Sequence, residues 1–96
     1  MDDNATRFTL RGLKLLRIFL DDVERERPGS ELMTLTGLPS GNLYPLLRSY
    51  EQRGLLSSRW EEGDPVKLGR PLRRYYRITK RGRFDARKAL SELGFK

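Results

Sequence analysis

Residues 65 to 84 hold eight basic side chains and no acidic one: Lys67, Arg70, Arg73, Arg74, Arg77, Lys80, Arg81 and Arg83. Guanidinium and ammonium groups bind anions, and one sign of charge confined to one stretch is the footprint of a polyanionic partner. The charge is local. Residues 1–38 balance to −1, residues 39–83 to +7 and residues 84–96 to +1, against a net charge of +7 for the chain. A surface that only confers solubility mixes its signs. At the centre of the run stands Gly69-Arg70-Pro71. Proline fixes its own backbone angle and restricts the arginine before it, so the tripeptide is narrow and extended. That shape suits insertion of one guanidinium into the minor groove of a duplex, where negative potential is strongest when the groove is narrow. The alternative is a hairpin tip whose arginine is solvated.

A second group is Ser40-Gly41-Asn42-Leu43-Tyr44, with Arg48 one helical turn past Tyr44. Hydroxyls, an amide and a guanidinium at the start of a helix can meet base edges and phosphates, and Gly41 permits close backbone approach. Ser40 and Asn42 can equally serve as caps, and Tyr44 can pack against a neighbouring hairpin. Other chemistry is poorly supplied. The chain has no histidine and no cysteine, which removes imidazole catalysis, thiolate metal sites and disulfides. Glu61, Glu62 and Asp64 at a loop edge read as solvated carboxylates, not metal ligands. No enzyme activity, metal or other cofactor is expected. The apolar runs are too short to span a membrane, and the acidic start Met1-Asp2-Asp3 lacks the basic opening of a signal peptide, so a cytoplasmic protein is expected.

The elements that must position these groups follow from periodicity. A first helix of roughly four turns is expected from cap Thr9 to Val23. Leu13, Leu16, Leu20 and Val23 form its main stripe, with Leu15 and Ile18 beyond it. Pro28-Gly29 breaks the chain. Ser30 then caps a short helix from Glu31 to Thr36, and Gly37 ends it. Ser40 caps a third helix to about Arg53, loosened at Pro45 and stopped by Gly54. Two strands with alternating patterns surround residues 56–60 and 73–78, joined by a long flexible tip over 61–71. Trp60 and Tyr76 are expected to fill the seam between hairpin and helices. Thr79 caps a last helix to about Leu93, with Phe84, Ala86, Ala89, Leu90 and Leu93 as its apolar positions. The fold class is mainly α with a small β-hairpin, a winged helix-turn-helix forming one domain over residues 1–96, with residues 1–7 flexible.

The chain resembles the PadR family of winged-helix transcriptional regulators. The resemblance runs through Glu31-Leu32-Met33 and Thr36-Gly37-Leu38-Pro39-Ser40-Gly41-Asn42-Leu43-Tyr44-Pro45-Leu46-Leu47. It continues through Tyr50-Glu51, Gly54-Leu55 and Ser58-Arg59-Trp60-Glu61, and closes on Gly69-Arg70-Pro71-Leu72-Arg73-Arg74-Tyr75-Tyr76-Arg77-Ile78-Thr79 and Gly82. It implies that Tyr44 belongs to a recognition helix and Arg70 to the wing. It also implies that the first helix and the C-terminal segment form a homodimer. Tyr50 and Leu72 depart from the family pattern, and the long C-terminal helices of larger members are not present by Lys96. Some members respond to a ligand, but no dedicated effector domain is recognisable here, so a small-molecule effector has no support.

Together these readings predict a sequence-specific regulator of transcription, a repressor, bound as a homodimer to a two-fold site on double-stranded DNA. Ser40, Gly41, Asn42, Tyr44 and Arg48 would meet the major groove. Lys67, Arg70, Arg73 and Arg74 would grip backbone and minor groove. Leu15, Ile18, Leu90 and Leu93 would form the dimer interface. A protein-interaction module and an RNA-binding domain are the alternatives, though the first leaves the basic patch unexplained.

Overall fold

The computed structural model describes residues 8–94, so the terminus expected to be flexible lies outside the described residues. Thr9 starts the first helix as its sequence position implies. Its backbone is extended and its hydroxyl accepts from the Gly12 N–H at 3.0 Å, so α1 spans Leu10–Leu20. The helix stops short of Val23 because Asp22 accepts from the Glu24 N–H, a local turn that competes with the helical ladder. Leu13, Leu15, Leu16 and Phe19 are all buried. The expected dimer role of Leu15 is corrected here. α1 is packed by the second helix, the last helix and the sheet on different sides, and Leu15 is 0% exposed within the chain.

Residues 27 and 28 form a two-residue strand, β1 (Arg27–Pro28), that periodicity did not reveal. Pro28 is also the N-cap of α2 (Gly29–Thr36), its ψ of 154° setting the entry. The expected cap, Ser30, sits inside this helix, with its carbonyl accepting from the Thr34 hydroxyl. Gly37, at φ 73°, ends α2 in the left-handed region that only glycine adopts without strain. Pro39 then caps α3 (Ser40–Gln52) by its extended backbone, and no side chain bonds the first turn. Ser40 is therefore the first helical residue and not a cap. The helix is continuous through Pro45, and Leu43, Leu47 and Tyr50 face the core at a helical spacing.

The hairpin strands are β2 (Leu56–Trp60) and β3 (Arg74–Ile78), joined antiparallel with Leu56 opposite Ile78 and Trp60 opposite Arg74. β1 adds to the other side of β3, with Arg27 opposite Tyr76, giving the order β1-β3-β2. Pro28 has no N–H to donate, which suits it to this edge position. The hairpin tip is built, not loose. Asp64 accepts from the Val66 N–H at 2.9 Å and caps a short helix, α4 (Pro65–Leu68), which Gly69 ends at φ 70°. Proline at the first helical turn and an aspartate cap are good helix-starting signals, and the eye drawn to the tip's glycines and prolines overlooks them.

Thr79 caps α5 (Lys80–Glu92) by accepting from the Gly82 N–H at 2.9 Å. The same hydroxyl contacts the Gly54 carbonyl at 2.6 Å, tying the start of α5 to the end of α3. A Cβ on Gly82 would run into the Leu55 carbonyl and come within 2.8 Å of the Ile78 side chain, so no side chain fits there. α5 packs along α1 through Ala86 and Ala89, while Phe84, expected on the apolar face, is 67% exposed. The core is one cluster joining α1, α2, α3 and the sheet, with Phe19, Leu32, Leu43, Leu47, Leu55 and Leu56 fully enclosed. Each such side chain stabilises the fold by roughly 1.5–3 kcal/mol relative to exposure.

Candidate nucleic-acid interface

The turn of α3 that follows Pro39 projects from the body. Ser40, Gly41 and Asn42 are exposed, and no side chain caps the first turn of α3. Because Leu43, Leu47 and Tyr50 are drawn into the core, Tyr44, Arg48 and Glu51 are turned together onto one adjacent face. The Tyr44 ring rests on the backbone of Gly29, where a Cβ would come within 2.8 Å of it, and the side chain is still 37% exposed. Tyr44 thus packs on the start of α2 and keeps an edge available to the groove it shares with the hairpin.

The hairpin supplies the second wall. Residues directly opposite share a face, so Leu56–Ile78, Ser58–Tyr76 and Trp60–Arg74 all lie on the inner side. The first of these pairs is buried in the core. The last extends past the helices and leaves Trp60 57% exposed, which corrects the expectation that it fills a seam. Its ring instead carries the Arg74 guanidinium at 5.1 Å. Tyr76 is buried as expected. Between the two walls runs an open groove of about 660 Å³, lined by Tyr44, Arg48 and Glu51 on one side and by Trp60, Arg70–Arg74 and Tyr76 on the other.

Within the groove the cations are of two kinds. Arg48 and Arg73 are exposed and, with Lys67 on α4, form no ion pair among the described residues. Arg74 is held. Its Nε donates to the Ser58 hydroxyl at 2.9 Å, Ser58 donates to Glu51 at 2.6 Å, and Arg74 lies 3.5 Å from the same carboxylate. Arg70 is held more tightly, by two parallel bonds to Glu61 at 2.7 and 2.8 Å. Glu61 also accepts from the Arg73 N–H at 3.0 Å, so it is not the solvated acid its loop position implied. The Arg70 guanidinium, and after it the Arg73 N–H, hold the Glu61 carboxyl down to about 2. Asp64, too, is engaged as the cap of α4.

The structure brings Tyr44, Arg48, Arg70, Arg73 and Arg74 to one groove, places Ser40, Gly41 and Asn42 at the free end of α3, and puts Lys67 farther out on the wing. Sequence reasoning missed Glu51, Ser58 and Glu61, whose only signal was an acid or hydroxyl amid bases. It also missed Arg27, which is 5% exposed and bonds Glu31 at 2.6 Å and the Ile18 carbonyl at 3.3 Å, stitching α1 to α2. Of the expected dimer residues, Ile18 and Leu90 are partly buried against the core and Leu93 is 48% exposed. Among the described residues no acidic, histidine or cysteine cluster can hold a metal ion, and no helix is long and apolar enough to cross a membrane.

Two helices joined by a short glycine turn, the second beside a basic β-hairpin, make this a winged helix-turn-helix, a DNA-binding class of fold. Residues 29–88 match the transcriptional regulator PadR-like family, and the chain belongs to it. Solved structures agree. A PadR-family transcriptional regulator from Eggerthella lenta is similar at 28% identity and a TM-score of 0.69, over 88% of this chain and 76% of that one. A transcriptional regulator from Thermoplasma acidophilum is similar at 28% identity and a TM-score of 0.63, over 88% and 84%. A PadR-like transcription factor from Bacteroides fragilis shares the fold at 24% identity and a TM-score of 0.71, over 96% and 90%. No curated protein matches the sequence. By family, the chain is a DNA-binding regulator of transcription.

Proposed function

We propose that this protein is a repressor that binds a two-fold site on double-stranded DNA as a homodimer, in one domain spanning residues 1–96, without catalysing a reaction and in the cytoplasm. The observation that carries the reading is the groove in which Tyr44 and Arg48 of α3 face Arg73 and Arg74 of the wing. In this arrangement the α3 end enters the major groove. Ser40, Gly41, Asn42 and Tyr44 meet base edges there, and Arg48 meets a guanine or a phosphate. Lys67 and Arg73, unpaired and exposed, take phosphates. Arg74, held over the Trp60 ring, presents the rest of its guanidinium to the backbone. With Leu15 enclosed in the core, the dimer rests on Ile18, Leu90 and Leu93, with exposed Leu10 and Phe84 adding apolar surface on the same two packed helices.

Gel shift with duplex DNA over a salt series tests this. Each phosphate neutralised lowers log affinity by about 0.9 per unit of log salt, and a dimer should show roughly six to ten such contacts. Affinity that hardly changes from low to moderate salt contradicts the reading. Arg73→Ala should weaken cognate and random duplex alike, whereas Tyr44→Ala should lose mainly the preference for the cognate site, by about 1–3 kcal/mol per base contact.

A further inference from the structure

The arginine with the shape to enter a minor groove is already engaged. Arg70 donates twice to Glu61 in a parallel, fork-on-fork pair, and its Nη1 also reaches the Pro71 carbonyl at 3.2 Å. Its side chain is 31% exposed and that of Glu61 only 17%. Bidentate guanidinium–carboxylate pairs are the strongest and most directional that side chains make. Glu61 stands directly after β2 and is bound on both of its groups to the chain just before β3. Its N–H donates to the Arg73 carbonyl at 2.7 Å, and its carboxylate accepts from the Arg73 N–H. The loop from 61 to 73, which carries α4, is therefore closed at its neck by the backbone and the carboxylate of Glu61, and Arg70 ties the returning limb of the loop to that same carboxylate. A guanidinium committed to that neck cannot leave to read DNA without giving up both bonds to Glu61, which brace the loop that carries its neighbours.

We infer that Arg70 is a positioning residue, not a reader: it locks onto Glu61 to close the neck of the wing, so that Arg73 and Lys67 are presented to DNA in a fixed pose. This rests on the DNA-binding reading above and changes which wing residues do the contacting. It also gives an acidic side chain on a DNA-facing surface a favourable part in binding. Simple electrostatics gives the opposite sign, because deleting a negative charge near phosphates strengthens attraction.

The experiment measures affinity for a labelled random-sequence duplex across a salt series, using the full chain and the variants Glu61→Gln, Arg70→Gln, the double variant, and the charge swap Glu61→Arg with Arg70→Glu. With the neck unlocked, the wing must be ordered on binding, so both single variants should bind roughly three- to tenfold more weakly. The double variant should be no worse than the weaker single one, because both break the same lock. The charge swap should bind better than either single variant but below wild type, since it rebuilds the ion pair and not the bond from the Arg73 N–H to the Glu61 carboxylate. Arg70→Gln should leave the salt slope unchanged, since no phosphate contact is lost. Tighter or equal binding by Glu61→Gln, or a salt slope reduced by about 0.9 in Arg70→Gln, overturns the inference and returns Arg70 to the DNA. Melting curves of each variant confirm that the fold is kept. If Glu61→Gln melts early, Arg70→Gln decides, because it leaves the bond from the Arg73 N–H to Glu61 in place, and an Arg70→Gln variant that folds and binds as tightly as wild type overturns the inference. A wild-type chain that binds no duplex at low salt refutes the regulator reading itself. Wild-type binding that Glu61→Gln matches refutes only the lock.

Discussion

At the scale of single residues, charge partners and close packing decide more than residue type does. Glu61 is held down to about 2, below an ordinary carboxylate value of 4.5, chiefly by its bonds from Arg70. A carboxyl depressed on folding stabilises the native state above its unfolded value and loses that contribution as it is protonated. The stability that Glu61 adds should therefore be intact above pH 4.5 and fall away as pH drops toward 2. Acid unfolding of wild type and Glu61→Gln checks this, with the difference between the two melting temperatures shrinking over that window and constant above it. Tyr50 moves the other way. Burial pushes its hydroxyl up to about 12, against a smaller opposing pull from Arg53, so it stays neutral throughout. At Gly82 an added methyl meets the Leu55 carbonyl, which is backbone and cannot step aside. Gly82→Ala should cost about 1–3 kcal/mol by denaturant titration, although alanine is the better helix former.

At the scale of elements, caps separate the helices that are locally specified from those set by what surrounds them. Thr9 and Thr79 both accept from a backbone N–H three residues on, whereas α2 and α3 begin after prolines with no side-chain cap. Thr79→Ala should cost about 1–2 kcal/mol, since its hydroxyl also binds the Gly54 carbonyl. Ser30→Ala and Ser40→Ala should each stay within about 0.5 kcal/mol of wild type by the same measurement. A loss at Ser40 comparable to that at Thr79 would mean that its hydroxyl caps after all.

At the scale of the whole molecule, the surface left over predicts assembly. Leu10, Phe84 and Leu93 are 61%, 67% and 48% exposed on α1 and α5, which already pack together. Joining these faces across a two-fold axis would set two α3 helices about 34 Å apart, one turn of duplex. Sedimentation at micromolar concentration should show a dimer, and Phe84→Glu or Leu93→Glu should shift it toward monomer with an unchanged fold. A wild-type monomer that stays monomeric on DNA refutes this assembly.

What the sequence determined by itself was local and periodic. The 3.6-residue spacing of Leu43, Leu47 and Tyr50, the alternation through Leu56, Ser58 and Trp60, the glycines after helices, and the threonine caps are all properties of neighbouring residues. They yielded the helices, the hairpin and the winged class. The tight clustering of bases was equally legible, because charge is counted without knowing distances. Partners far apart along the chain were not legible. β1 is two residues long and exists only because β3 lies alongside it. Leu15 looked like surplus apolar edge until α1 was packed on several sides. Trp60 looked like core until the hairpin carried it out to the surface. Arg70 and Glu61 are nine positions apart and meet only because the tip folds back on itself. Periodicity reports which way a side chain faces along one element. Only the tertiary structure decides what it faces, and that decision turned the most conspicuous arginine of the sequence from a free cation into half of an ion pair.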